Sequence, residues 1–289
     1  METLFGKLFC VLSVLILTGF YACTPAHRSY PSPKGYDLNH PEKFNMPESL
    51  HEISGIAFHH HKSDKVYSIQ DEEGRFYRQG WQSKKQKHVT FADKGDFEDL
   101  AILNETVVVL KSDGHLYTFP FSEAKGEEVK DVKEWKDILP KGEYESIYAD
   151  EQTNQLYLLC KNCKEDKKNQ IASGSVFTYD AEKKDLISSG HFSINLSKLI
   201  AEEKILKTGL KASALTRNLH TGEWYILSSV NKLLLITTPD WQIKSTYRLD
   251  SSIFGQPEGI TFDDQMNLFI SNEGDEFSTG NILKFTYKP

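Results

Sequence analysis

At 289 residues the chain has room for one large domain or two small ones, and a content of 39% hydrophobic and 12% aromatic residues suffices for a substantial core. A formal net charge of −7 argues against nucleic acid as a partner, because phosphate binding needs clustered lysine and arginine. The one basic run, SKKQKH at 83–88, reads as a solvated strand edge or hairpin tip.

Lys7 precedes an apolar run from Leu8 to Ala22, too short for an ordinary membrane-spanning helix and suited to the core of a signal peptide. Small Ala22 directly before Cys23, with the Pro-rich TPAHRSYPSP after it, resembles a bacterial lipoprotein signal. Phe20 and Tyr21 are bulkier than is usual before such a cysteine, and an ordinary secretory peptide is the alternative. Cleavage before Cys23 divides the chain into a signal peptide (1–22), a lipid-anchored flexible tether (23–40, with Pro25, Pro31, Pro33 and Gly35) and a folded body (41–289). The expected location is the cell envelope, with the lipid holding the chain to a membrane. Residues 24–28 carry no acidic run of the kind linked to surface export, which favours the periplasmic side.

From Glu52 onward one phrase recurs: EISGIAF, then DFEDLAIL from Asp96, EYESIYAD from Glu143, KASALTRN from Lys211 and QPEGITFD from Gln256. Its third position is Ser54, Glu98, Glu145, Ser213 or Glu258, so successive spacings are 44, 47, 68 and 45. Each copy is followed by a second apolar strand (KVYSIQ, TVVVLK, QLYLLCK, EWYILSS, NLFISN), a polar turn, and a third strand (RFYR, HLYTFP, SVFTYD, KLLLIT, ILKFTY). Short β-branched and aromatic strands between Gly, Asp and Asn turns are hairpin signals, and a period near 45 residues predicts an all-β β-propeller. Length over period predicts five blades, or six if residues 170–212 hold a divergent one. The long interval also contains LSKLIAEEKILK at 196–207, whose Leu196, Leu199, Ile200 and Leu206 have helical spacing and predict a short helical insertion. Strands around 36–50 are expected to close the ring with the last blade.

The body contains two cysteines, Cys160 and Cys163 in CKNC, expected as a local disulfide or a free pair; a zinc site would need a second such pair. The histidine triplet His59–His61 reads as a loop, because it lacks a His-x-x-x-His spacing or a nearby cysteine. No G-x-S-x-G elbow, P-loop or G-x-G-x-x-G occurs.

Taken in order, EISGIAF…VYSIQDEEGRFYR, GDFEDLAIL, YESIYADEQTNQLYLLCK, LKASALTR and QPEGITFDDQMNLFISNEG resemble the SdiA-regulated, YjiK-like β-propellers of bacteria, over about residues 48–287. The resemblance implies the propeller fold and no particular chemistry. More distantly the chain is similar to phytase-like and esterase-like propellers, which implies an alternative as a metal-dependent hydrolase of phosphate or carboxyl esters.

If the repeated phrase is the innermost strand of each blade, Glu98, Glu145 and Glu258 occupy equivalent places near the axis, with Glu52, Asp96 and Glu143 two positions earlier in their copies. Carboxylates converging on one axis repel one another unless something neutralises them. Ca²⁺ or Mg²⁺ held by Glu98, Glu145, Glu258 and Glu52 is the expected answer; structural hydrogen bonds between blades are the other. Acids after the second strands (Asp71, Glu72, Asp113, Glu273, Asp275) read as turn formers, with Asp71 and Glu273 the ones to check for proximity to the axis. Lys211 is the one basic residue ahead of the third position in the aligned phrases, which weakens the hydrolase alternative. The expected function is therefore a non-catalytic, lipid-anchored binding module for a divalent cation, with a small ligand or an envelope protein as partner. A scaffold with purely structural axial acids is the third reading.

Overall fold

Every copy of the phrase folds as the innermost strand of a four-stranded antiparallel sheet, and five such sheets surround one axis in a computed structural model that describes residues 29–81, 86–202 and 209–289. Blade 1 is β2 (Ile53–Ala57), β3 (Val66–Gln70), β4 (Glu73–Gln79) and β5 (Lys87–Lys94). Blade 2 is β6 (Phe97–Leu103), β7 (Thr106–Lys111), β8 (Leu116–Pro120) and β9 (Lys133–Trp135). Blade 3 is β10 (Tyr144–Asp150), β11 (Gln155–Cys160), β12 (Ile171–Asp180) and β13 (Asp185–Asn195). Blade 4 is β14 (Ala214–Arg217), β15 (Trp224–Ser228), β16 (Leu233–Thr237) and β17 (Ile243–Arg248). Blade 5 is β18 (Pro257–Phe262), β19 (Leu268–Asn272) and β20 (Asn281–Phe285), and its outer strand is β1 (Glu42–Asn45) from the other end of the body. β1 pairs with β20 from Glu42↔Lys284 to Asn45↔Asn281, so the ring closes where the sequence places the closure.

Among the described residues there is no sixth blade. Residues 170–212 hold the long β12–β13 hairpin and a short helix, Ser197–Glu202, with the rest of the predicted helical stretch outside the described residues. Leu199 of that helix is buried beside Leu196, Trp224 and Leu235 between blades 3 and 4. The predicted tether also differs. Tyr36 and Leu38 are buried in the cluster between blades 4 and 5, the Tyr36 hydroxyl donates to the Met266 carbonyl at 2.7 Å, and Lys288 N–H donates to Gly35 O at 2.8 Å. Two apolar side chains on a Pro- and Gly-rich segment find a groove that composition cannot reveal. The signal peptide, Cys23 and the start of the tether lie outside the described residues.

The core is divided into wedges between neighbouring blades, each an apolar cluster drawn from two of them. The fifth position of the phrase supplies one side chain to each: Ile56, Leu100, Ile147, Leu215 and Ile260. Burying such a side chain contributes about 1.5–3 kcal/mol, so these five positions bear heavily on the ring. The wedge between blades 3 and 4 adds stacked rings, with Trp241 4.3 Å from Trp224 and 3.7 Å from Phe192, centroid to centroid.

The fourth position is small because inner strands nearly touch there. A Cβ on Gly55 would lie 2.3 Å from Asp99 Oδ1 and 2.7 Å from Leu100 N of blade 2. One on Gly259 would lie 2.4 Å from Ser271 Oγ and 2.7 Å from Ser54 O of blade 1. Overpacking of this kind costs about 1–3 kcal/mol. Gly55→Ala and Gly259→Ala should each lower the unfolding free energy from urea titration by that much, shifting the midpoint down, whereas Gly190→Ala, whose Cβ meets nothing within 4 Å, should leave it nearly unchanged. Equal midpoints for all three would mean that the strands are not in this contact.

Candidate functional site

The third position of the phrase is the extra residue of a β-bulge. Pairing slips between Phe97 and Asp99, between Tyr144 and Ser146, and between Pro257 and Gly259, leaving Glu98, Glu145 and Glu258 without a partner across the ladder. Ser54 lies inside the corresponding slip of blade 1, and in blade 4 Ser213 and Ala214 both oppose Leu227. A bulge re-aims the side chain it carries. Here it turns the third position out of the sheet at the end of the axis where the inner strands begin.

A second set of residues stands just beyond the end of each second strand: Asp71, Ser112, Lys161, Ser229 and Glu273. They are tied to their neighbours by backbone hydrogen bonds, Phe97 N–H to Asp71 O at 2.8 Å and Tyr144 N–H to Ser112 O at 2.9 Å. The two sets bring acids of blades 1, 2, 3 and 5 to one mouth, with serines at the blade 4 positions.

Electrostatics at this mouth is dominated by burial and by like charge. Glu98 is pushed up to about 8, first by burial and then by Asp96, with Glu258 and Asp71 adding to the effect and Lys161 opposing it. Asp71 is pushed up to about 7 by burial and then by Glu52, Glu273 and Glu72. Glu258 is also raised to about 7 by burial, against a hydrogen bond from Ser229 and the charge of Lys161. Glu273 is raised by burial and by Glu52. The buried Oδ1 of Asp71 accepts no hydrogen bond from any described residue.

The sequence-predicted residues separate into two groups. Glu258 and Asp71 act on Glu98, Glu273 acts on Glu258 and Asp71, and Glu52 acts on Asp71 and Glu273, so these acids share one electrostatic field. Glu145 is buried and paired with Lys161, which also lies 3.5 Å from Glu143. Among the described residues, the acids of this mouth do not form a trio with ligand oxygens within 4.8 Å of one another, so no inner-sphere cation cage stands ready. Lys211 reaches sideways to Asn162 Oδ1 at 2.8 Å, and Lys232 bonds the Gly255 carbonyl.

Lys161 is the residue that reading the sequence missed. It sits inside CKNC, and the sulfurs of Cys160 and Cys163 are joined, with Cα atoms 5.9 Å apart. The disulfide packs against Gly142 and Tyr144, away from the axis, and the loop it closes delivers Lys161 to the mouth. The only available signal was a lysine one residue past a second strand, at the place where other blades carry acids.

Asp99 has a different role. It is buried, its Oδ1 accepts from its neighbour Leu100 N–H at 2.8 Å, and its Oδ2 accepts from Ile147 N–H of blade 3 at 2.9 Å. Burial raises its pKa well above the carboxylate range, and those two N–H groups oppose the rise. Below it the tunnel narrows to a cavity of about 40 Å³ lined by Ile56, Leu100, Ile147, Leu215 and Ile260.

The SdiA-regulated family profile matches residues 34–279. No curated protein matches the chain. Among solved structures, glutaminyl cyclase of Myxococcus xanthus is similar with a TM-score of 0.54 at 11% identity, covering 86% of this chain and 97% of that one. Virginiamycin B lyase of Staphylococcus aureus has a TM-score of 0.47 at 13% identity, covering 86% and 70%. A chain of a nidogen/laminin complex has 0.49 at 13% identity, covering 76% and 72%. At such identities likeness concerns fold alone. The family profile, by contrast, runs from the segment ahead of β1 to the turn before β20, and on that match the chain belongs to the SdiA-regulated family.

Proposed function

We propose that this protein is a lipid-anchored binding module of the cell envelope that takes up a divalent cation at its acidic mouth. The observation that carries the reading is the gathering of acids at one mouth, where Glu98, Glu258 and Asp71 are each lifted far above the ordinary carboxylate range, first by burial and then by repulsion from neighbouring carboxylates (Asp96, Glu258 and Asp71 on Glu98; Glu273 on Glu258; Glu52, Glu273 and Glu72 on Asp71). A cation relieves that repulsion. The unpartnered Asp71 Oδ1 is an oxygen with no better use among the described residues. Ca²⁺ or Mg²⁺ suits an all-oxygen set, and the spacing of the acids favours a hydrated ion held by Glu98, Glu258, Asp71, Glu273 and Glu52, partly through water. Glu145, occupied by Lys161, contributes to the field and not to the ligand set.

Binding fits this mouth better than ester hydrolysis. Phosphate chemistry needs free cations as clamps, while Lys161 is engaged by Glu145 and Glu143 and Lys232 by a carbonyl. The mouth so formed would present its cation, with open coordination positions, to a small anionic ligand or an envelope protein. Anchoring rests on Ala22–Cys23 in the sequence.

These acids set a pH dependence of defined sign. Their folded pKa values lie above those of an unfolded chain, so the stability they contribute is fully present below about pH 4 and is lost as pH rises to about 7–8. Added Ca²⁺ should therefore raise the melting temperature little at pH 5 and most near pH 8. At a hundredfold excess over Kd the gain is about 2.7 kcal/mol, or roughly 5–10 °C for a domain of this size. The double variant Glu98→Gln/Glu258→Gln should melt higher than the parent at pH 8 without Ca²⁺ and gain little from the ion. Melting temperatures indifferent to Ca²⁺ up to millimolar concentration at pH 8 would leave these acids as structural groups.

For the anchor, Cys23→Ser should move the protein from the membrane fraction to the soluble periplasmic fraction. Unchanged partitioning would exclude lipidation at that cysteine.

A further inference from the structure

The far end of the axis, where inner strands turn into second strands, carries a cluster unrelated to the acidic mouth. His59 and His60 form the tight turn between β2 and β3, Glu105 lies in the β6–β7 turn, and Glu151 lies in the β10–β11 turn. Three blades thus meet at one place. His59 Nε2 is 3.1 Å and His60 Nε2 is 3.3 Å from the same carboxylate oxygen, Glu105 Oε1. The three ligand atoms lie within 4.8 Å of one another.

Those separations are the edges of a coordination polyhedron. With metal–nitrogen and metal–oxygen bonds of about 2.0–2.2 Å, neighbouring ligands of a tetrahedral ion stand about 3.3 Å apart. The supporting groups match as well. Glu151 places its two oxygens 3.1 and 3.2 Å from His60 Nδ1, where they would accept an Nδ1 proton and leave Nε2 its lone pair for a metal, the usual arrangement behind a ligating histidine. His59 is held by stacking on Phe121, with ring centroids 3.9 Å apart and planes inclined by 19°. Consecutive histidines can aim both Nε2 atoms at one point only if the backbone turns sharply between them. His60 has φ 50° and ψ 38°, and His61 has φ 56°, a left-handed conformation that non-glycine residues rarely adopt.

The geometry points to a transition-metal site, with His59 Nε2, His60 Nε2 and the Glu105 carboxylate as ligands, Glu151 as the group orienting His60, and the fourth position open to solvent beside the exposed Glu105. Imidazole and carboxylate donors in this number suit Zn²⁺, Co²⁺ or Ni²⁺ and not the hard cations proposed for the mouth. The site does not rest on that proposal: the two lie on opposite faces, bind different metal classes and can fail separately.

The test uses the untagged full chain, stripped with chelator and titrated with Zn²⁺ by calorimetry and with Co²⁺ by visible absorption. One Zn²⁺ per chain should bind, and Co²⁺ should give the intense visible absorption of a four-coordinate ion that Zn²⁺ then bleaches. His59→Ala, His60→Ala and Glu105→Gln should each weaken Zn²⁺ binding by more than a hundredfold. Glu151→Gln should weaken it roughly 10- to 100-fold. Glu98→Gln at the other mouth should not change it. Chelator-treated variants that melt with the parent would show the losses to be of ligands and not of fold. The absence of saturable Zn²⁺ binding in the parent, or binding that His60→Ala and Glu105→Gln leave intact, would overturn the assignment.

Discussion

Everything in this molecule follows from how tightly the inner strands crowd the axis. Backbone meets backbone there: a Cβ on Gly259 would collide with Ser54 O, and one on Gly55 with Leu100 N. Side chains of normal size cannot occupy those places, which is why the fourth position is Gly55, Ser146, Ala214 or Gly259, and why the exception, Asp99, uses its carboxylate to hold the next blade. With the fourth position pinned, a bulge at the third turns one residue per blade out at the mouth, and the fifth is left to pack between blades. Packing and site chemistry are thus written into adjacent residues of one short phrase.

This explains what could be read from the sequence and what could not. The five inner strands, their order, the ring closure and the equivalence of Glu98, Glu145 and Glu258 are properties of a local pattern repeated along the chain, and they are visible there. The β12–β13 hairpin was ambiguous because much of β13 is solvent-exposed and polar, with no apolar alternation to mark it as strand. Tyr36 and Leu38 were lost in a Pro-rich segment because their burial depends on a groove between blades 4 and 5. Pairings across blades were invisible for the same reason. Lys161 finds Glu145 from a loop, and His60 meets Glu105 and Glu151, the latter 91 residues away in the chain. A histidine triplet without internal metal spacing says nothing until other blades bring their acids to it.

The disulfide links fold to field. Cys160 ends β11, Cys163 packs against Tyr144, and the two intervening residues are Lys161 and Asn162. Closing so short a loop limits where Lys161 can go, so its charge acts at a fixed place: it neutralises Glu145 and lowers the repulsion felt by Glu98 and Glu258. Asn162, in the same loop, receives the side chain of Lys211 from blade 4. One covalent constraint therefore keeps two lysines in register at the blade 3–blade 4 side of the mouth. Negative charge is left unbalanced toward blades 1, 2 and 5, where Asp71, Glu98, Glu258 and Glu273 raise one another's pKa or are raised by Glu52 and Asp96.

Between this mouth and the histidine face lies a cavity of about 40 Å³ whose lining includes Asp99 and His61. The Asp99 carboxylate receives the Ile147 amide, lies against Gly55, and is itself destabilised by the charges of Glu98 and Glu258. The joint it makes holds blades 1, 2 and 3 together. Those are the blades whose far turns carry His59, His60, Glu105 and Glu151, so the packing that joins the inner strands also places the turns of the histidine face.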